Sequence, residues 1–591
     1  MKYHYISEPE QLEEAMRHLS GQHFLAISVL STGPDPYLHT LRMIGLNTNK
    51  EDVWLVEFTR FADAASREPL RALLGNSKTV KVIYHAKEAV EFLKINGILL
   101  CGSLFDPYLA AQLLATPQGP DEYHLAALAL FFLQHHLTVL PEDGILDQRD
   151  REDALALQAQ ATAILLPLRA VMVKQLVENQ LVGVAKIEFD CVYGVADMEL
   201  TGMYLNEQVF KMLGAQLYSE AKRLEKELAP LLTTEKSQMN LLGESETTAV
   251  NLDSPEQLRA ALLRRGIDLP DTSRHTLNQL AVTYPEVAQL LEYRKVAKQL
   301  NTFIDALPNY IHPVTGRIHS HYQQMGAGSG RFSCSGPNIQ GTPRGEAFRN
   351  CFQAAPGNVL VIADYSQIEL RVAAEVAQDA RMIKAYREGE DLHRLTASLV
   401  TGLSVELIDK KQRQAAKAIN FGLVYAMGAR GLQTYAHDTY GAAMTVEQAE
   451  QFRQRFFMAY RGIYRWHQKV RLQNEADRKA GIPAETRTLS GRRYIWSTVA
   501  GLAGLYNMPV QGTAADIAKK AICLIYQENV NPNWHLIGFV HDEILMEVPQ
   551  ADGTAAKYFL KTQMERAGKF ILKTVPLVAE ANIGNSWADA K

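Results

Sequence analysis

Between Phe24 and Leu30 the chain is apolar for the length of a strand and then breaks in Ser-Thr-Gly-Pro-Asp-Pro; Val53 to Phe58 repeats the pattern. Short apolar runs bounded by Gly, Pro and Ser predict strands, so the chain opens as an α/β unit. From Asp153 to Leu181 the apolar positions take helical spacing, and Val209 to Leu228 predicts a long helix leading into a polar segment, Thr233 to Ser254. Residues 255–305 predict helices carrying Arg259, Arg264, Arg265, Arg274, Arg294, Lys295 and Lys298, which taken alone read as a solvated face. After Ile318 a Gly-rich stretch, MGAGSGRFSCSGPN, leads into strands and helices expected to alternate to the end. The first domain boundary is placed near residue 180.

Within this pattern, Asn358 to Ala363 forms an apolar strand that delivers Asp364 at its end, before a helix expected from about Ser366. Leu536–Val540 and Ile544–Val548 flank His541-Asp542-Glu543, the pattern of a tight hairpin with acids at its tip. Carboxylates on adjacent strands can hold two Mg²⁺ ions roughly 4 Å apart, an arrangement that clamps the attacking and leaving oxygens of phosphoryl transfer. A lone Asp at a strand end is more often a cap or turn residue. A third element shifts the balance: Arg413, Lys417, Phe421 and Tyr425 recur every four residues along one helix. Two cations followed by two aromatics suit a face that grips phosphates and packs on a sugar and base. The plainer alternative is an amphipathic helix with snorkelling cations.

These three segments, in this order, resemble motifs A, B and C of family A DNA polymerases. The likeness covers roughly residues 190–591, because VNLDSPEQL, SGRFSCSGPNIQGTP, EDLHRLTA, TLSGRRYIW, NMPVQGTAADIAKKA and NIGNSWADAK also match in family order. It implies a right-hand fold, with thumb at 181–310, first palm part at 311–375, fingers at 376–500 and second palm part at 501–591. It makes Asp364 and Asp542 metal ligands together with Tyr365, with Glu543 as an accessory acid and Mg²⁺ as the metal, Mn²⁺ being able to substitute. His393, Arg413, Lys417, Phe421, Tyr425, Gln367 and Glu369 would surround the incoming dNTP. Lys417 would protonate the pyrophosphate and Glu369 would block a ribose 2′-hydroxyl. Phe421, where some relatives have Tyr, implies discrimination against dideoxynucleotides. Arg331, Asn338, Gln340, Asn507, Gln511 and His541 would touch primer-template DNA, reading minor-groove shape rather than sequence. Three departures stand out: Tyr425-Ala426 in place of Tyr-Gly, Ser329-Gly330-Arg331 in place of Thr-Gly-Arg, and a short segment from Arg493 to Asn507 in which Ala503 replaces an expected Arg.

Residues 1–180 resemble the family's RNase H-like 3′→5′ exonuclease domain without its acids. Ser28-Val29-Leu30 stands where Asp-x-Glu is usual, His85-Ala86-Lys87-Glu88-Ala89 replaces the second motif, and Leu155-Ala156-Leu157-Gln158 replaces the third. Asp106, followed by Pro107, is expected to be a helix N-cap rather than a ligand. A two-metal hydrolase without acidic ligands cannot hold its ions, so no proofreading is expected, and the domain reads as a scaffold. The chain starts directly upstream of the exonuclease-like strand, so a 5′ nuclease domain is expected to be missing and strand displacement to follow.

Composition narrows this little. The 591 residues carry 61 Lys and Arg against 65 Asp and Glu, a net charge of −4 that does not favour nucleic acid by itself. Five scattered cysteines without CxxC spacing suggest neither zinc nor disulfides and suit a reducing cytoplasm. No stretch is expected to span a bilayer, and a monomer is the simplest expectation. The competing readings are a polymerase specialised for another template or for damage, and a catalytically silent DNA-binding protein. Joint retention of Asp364, Arg413, Lys417, Tyr425 and Asp542 argues against the second.

Overall fold

The structure is a computed structural model that describes residues 2–49, 52–115, 122–138, 151–232, 250–252, 254–496 and 499–591. Most of the polar segment expected at Thr233 to Ser254 lies outside the described residues. The N-terminal unit is built on a six-stranded mixed sheet in the order β1-β4-β3-β2-β5-β6: β1 (Lys2–Ile6), β2 (Phe24–Ser31), β3 (Leu41–Asn47), β4 (Asp52–Glu57), β5 (Val80–Ile83) and β6 (Leu104–Phe105). The strands expected at Phe24–Leu30 and Val53–Phe58 are β2 and β4. The helical spacing after Asp153 becomes two helices, Arg151–Ala163 and Leu165–Glu178. One sequence expectation needs correcting: Glu152–Glu178 is long and apolar enough to cross a bilayer by length and composition, an 18-residue stretch within it reaching a mean hydropathy of 1.4. Its apolarity has a use within the fold, since Leu165, Leu168, Met172 and Leu176 are buried in the core of the sheet.

The helix Val182–Thr201 is buried on nearly every side and serves two cores. Its Val184, Val192 and Ala196 join the core of the N-terminal sheet, while Cys191, Val195 and Met198 join that of the C-terminal part. Next comes the long helix Glu207–Leu232, then the basic region, which forms helices Pro255–Arg264, Arg274–Ala281 and Pro285–Gln299 around a small core containing Leu258, Leu262, Leu277 and Leu290.

A second sheet, antiparallel and four-stranded, runs His535–Val540, Glu543–Pro549, Asn358–Tyr365, Ala579–Gly584. The helix Gly553–Ile571 packs on it and against the helix Leu502–Glu528, which in turn packs on Val182–Thr201. The expected alternation of strands and helices fails between these strands. From Ile368 to Ala480 the chain forms seven successive α-helices, four of them started by side-chain N-caps from Asp379, Asp391, Asp409 and Thr445. Apolar residues at helical spacing bury their faces against neighbouring helices there, so no strand is needed to hide them.

Candidate active site

Both carboxylates lie where the strands of the second sheet meet. Asp364 is the seventh of eight residues in its strand and pairs in register with Glu543, which places Asp542 on the adjoining turn. The turn is held by His541 with φ of 60°, the left-handed conformation that reverses the chain in the fewest residues. Gln367 has φ of 55°, so the following helix starts at Ile368 rather than at Ser366.

Burial pushes the Asp364 carboxyl up to about 7, with the charges of Asp542 and Glu543 adding to it. Burial also raises Asp542. Asp364 Oδ1 is shielded from water and has no hydrogen-bond partner. A half-buried pair of like charges with an orphaned oxygen is a donor set suited to a hard dication. Among the described residues no group of three or more His, Cys, Asp or Glu is placed to hold a metal ion by itself. The chain therefore supplies two carboxylates, and Mg²⁺ would complete its shell with main-chain oxygen, water and phosphate, as it commonly does.

The surroundings of the expected ligand Tyr365 and of the accessory acid Glu543 narrow what each can do. The Tyr365 side chain is buried and its hydroxyl donates to the Met564 carbonyl at 3.0 Å, so only its main-chain carbonyl remains as a candidate ligand. Glu543 is 4% exposed, and its carboxylate accepts from Arg349 Nη1 at 3.2 Å, from Trp587 Nε1 at 3.0 Å and from Lys591 Nζ. It anchors the C-terminal segment beneath the pair instead of standing free beside it. Trp587 and Lys591 belong to the matched NIGNSWADAK segment, yet nothing local in the sequence indicates that they converge on Glu543.

A cleft of about 410 Å³ opens at Asp542, lined also by His541, Tyr365, Gln367, Glu369, Arg331, Gln340, Phe421 and, from the helix Leu502–Glu528, Ala514, Ala515 and Ala518, with Asp364 behind this lining. Arg344, which the sequence reading missed, also lines it; its only signal was a lone Arg after the Gly-Pro-Asn segment. Glu369 is held from both sides, accepting from Arg331 and from the Tyr425 hydroxyl at 2.7 Å. Gln367 Oε1 accepts from the Tyr386 hydroxyl at 3.1 Å.

The helix Lys410–Val424 carries Arg413, Lys417 and Phe421, and Tyr425 caps its C-terminus. Ala426 follows with φ of 59°, the conformation that explains why glycine is usual there. Arg413 Nε donates to Asp391 Oδ2 at 2.7 Å, so the cation is oriented by a carboxylate that also caps the helix Leu392–Thr401. His393 is only 2% exposed, its Nδ1 is 2.9 Å from Asn420 Nδ2, and burial pushes it down to about 4. It stands as a neutral ring 6.1 Å from that of Phe421. Asn338 is exposed and caps a short 3₁₀ turn, and Gln340 Nε2 donates to the Phe539 carbonyl at 3.4 Å. Asn507 and Gln511 sit apart from the main cleft, in a second notch of about 240 Å³ with Tyr494 and Trp496.

In the N-terminal unit a cleft of about 360 Å³ is lined by Ser28, Leu30, Tyr84, His85, Glu88 and Gln158. Ser28 Oγ lies 2.7 Å from Thr162 Oγ1 and accepts from Gln158 Nε2 at 2.7 Å, a neutral hydrogen-bonded cluster. Glu88, the one acid in this lining, is 3.4 Å from His85 Nδ1. Asp106 is the N-cap expected of it: its carboxylate accepts from the main-chain N–H of Tyr108 at 2.8 Å and of Ala86 at 2.9 Å.

Fold and site together define a right-hand polymerase preceded by an exonuclease-type α/β domain. The chain belongs to DNA polymerase family A, whose family model matches residues 217–589; a 3′-5′ exonuclease model matches residues 3–161. It is 29% identical to DNA polymerase I of Aquifex aeolicus over 99% of this chain and all of that protein. It is 35% identical to the thermostable DNA polymerase I of Thermus aquaticus over 67% of this chain and 47% of that protein. The chain thus spans about half the length of the Thermus relatives. The solved structure of the POL domain of Pol1 from M. smegmatis, in complex with DNA primer-template and dNTP, superposes with a TM-score of 0.82 at 24% identity over the whole of both chains, which speaks for the fold.

Proposed function

We propose that this chain extends a DNA primer on a DNA template, adding dNMP from dNTP. The observation that carries the reading is the electrostatically interacting pair Asp364 and Asp542, the first with an orphaned oxygen and the second lining a cleft that also presents Arg331, Glu369 and Phe421. Asp364 and Asp542 would hold Mg²⁺, which when bound lowers the pKa of the primer hydroxyl and offsets phosphate charge. Arg413, oriented by Asp391, and Lys417 draw in the triphosphate, and Lys417 is the proton donor to the leaving pyrophosphate. Phe421 packs on the base. Glu369, fixed by Arg331 and Tyr425, closes the space a 2′-hydroxyl would need.

The N-terminal unit, residues 1–180, does not proofread in this reading. Its cleft holds a neutral Ser28, Thr162 and Gln158 cluster where a two-metal hydrolase needs acids, and Asp106 is committed to two main-chain N–H groups. In this reading, synthesis that meets a downstream strand displaces it. The thumb, palm and fingers are assigned to 181–310, 311–375 with 501–591, and 376–500; the chain works as a monomer in the cytoplasm.

The test is extension of a 5′-labelled primer with Mg²⁺, with and without dNTPs, comparing the parent with Asp542→Asn. Extension by the parent alone, with no shortening when dNTPs are left out, is expected. Failure of the parent to extend would favour a silent binding protein, and metal-dependent shortening would overturn the reading of the N-terminal unit.

A further inference from the structure

From Tyr494 to Ala515 the chain contains no charged residue, and this stretch supplies most of the lining of one notch. The notch formed there is lined by Gly328, Ser329, Tyr494, Trp496, Gly504, Asn507, Met508 and Gln511, and so offers rings and amides but no cation. Tyr494 and Trp496 stand edge to face, with centroids 4.9 Å apart and planes at 76°. Each ring is seated on a glycine: a β-carbon added at Gly504 would come within 2.3 Å of the Trp496 ring, and one at Gly328 within 2.5 Å of the Tyr494 ring. Two polar atoms of this notch, Trp496 Nε1 and Asn507 Oδ1, are shielded from water and lack any hydrogen-bond partner. A shielded donor and a shielded acceptor left unsatisfied in one notch are costly unless something completes them.

The helix Leu502–Glu528 joins this notch to the reaction cleft. Gly504, Asn507, Met508 and Gln511 line the notch, and Ala514, Ala515 and Ala518 line the cleft, at spacings of three and four that keep them on one side of the helix. Seven residues from Asn507 to Ala514 span about 10 Å at 1.5 Å per residue. Bases along one strand repeat at roughly 3.4 Å, which puts the notch about three nucleotides from the reacting position.

We propose that the Tyr494–Trp496 notch is a nucleobase site: Trp496 is a positioning residue that packs against one base or base edge of the bound nucleic acid. A cation-free wall does not grip phosphate, whereas aromatic faces with an amide beside them suit the neutral surface of a base. In this chain an uncharged, aromatic contact takes the place of an ionic one. The inference rests on the polymerase reading above.

The experiment uses primer-template duplexes with single 2-aminopurine substitutions, scanned over the first six positions of either strand, and reads base fluorescence and DNA affinity. Expected is one position, about three nucleotides from the primer terminus, whose signal changes on binding the parent but not Trp496→Ala. Its strand tells which source supplies the base. Affinity for DNA should fall roughly 5- to 150-fold in Trp496→Ala, the range for loss of one stacked base, while the rate at saturating DNA is retained. Trp496→Phe should restore most of the affinity. Gly504→Ala, which keeps the indole but displaces it, should act like Trp496→Ala. If no position on either strand distinguishes the parent from both Trp496→Ala and Gly504→Ala, or if affinity changes less than twofold, the inference is overturned. A parent that cannot extend a primer would instead overturn the polymerase reading.

Discussion

Replacing Glu188 with Gln removes one negative charge from a cluster of four whose side chains are all 4% exposed or less. Glu188, on the helix shared by the two cores, accepts from Lys519 Nζ at 2.5 Å, from Arg492 and from Gln324 Nε2 at 2.8 Å. Arg492 also binds Asp516 Oδ1 through Nε at 2.8 Å and Nη2 at 2.6 Å, and Asp516 further accepts from Thr488 Oγ1 at 2.8 Å. The cluster ties the joint between the two units to the helix that lines the reaction cleft. Burial alone would raise the Glu188 carboxyl, but Lys519 and Arg492 outweigh it and hold it below the usual carboxylate range. The amide leaves Lys519 a buried cation without its counter-charge, which costs about 3–5 kcal/mol. Glu188→Met with Lys519→Met should recover most of this: Arg492 keeps its two bonds to Asp516, and Gln324 keeps the Glu188 main-chain carbonyl, at 2.9 Å. Urea unfolding followed by tryptophan fluorescence, with limited proteolysis to locate the unit that opens first, measures both variants. A loss below about 1 kcal/mol in Glu188→Gln, or a double variant worse than the single, would refute the claim that the ion pair and not the packing holds this joint.

Three other predictions concern single residues. Burial raises Asp106 to about 6; its folded value lies above the unfolded one, so the folded state binds more protons between about pH 4 and 6 and stability falls as pH rises through that window, by roughly 3 kcal/mol in all. Asp106→Asn should flatten this slope in unfolding measured across pH 4–7; an unchanged slope would refute the assignment. Ala426 has φ of 59°, so Ala426→Gly should relieve about 1 kcal/mol of strain and raise the unfolding midpoint, whereas a lower midpoint would show that the loop does not hold this conformation. Glu369→Ala should raise ribonucleotide incorporation relative to deoxynucleotides by about 10- to 100-fold, read from single-nucleotide extension; unchanged selectivity would remove Glu369 from the gate role.

Features whose causes are local were legible in the amino-acid order. An apolar run ending in an acid becomes a strand that presents Asp364, and a short polar break between two apolar runs becomes the turn that carries Asp542. Four-residue spacing put Arg413, Lys417 and Phe421 on one helix, and Asp-Pro marked Asp106 as a cap. Features that depend on distant partners were decided only by tertiary structure. Glu543 reads as a site acid until Arg349, Trp587 and Lys591 converge on it from elsewhere in the chain. The pairing of His393 with Asn420, and the burial that makes it a neutral ring, likewise come from the fold. Glu188 and Lys519, 331 residues apart, carry no mark of each other in the sequence. Nor does helical spacing reveal that Val182–Thr201 serves two cores at once, because periodicity tells which face is apolar and not what will cover it.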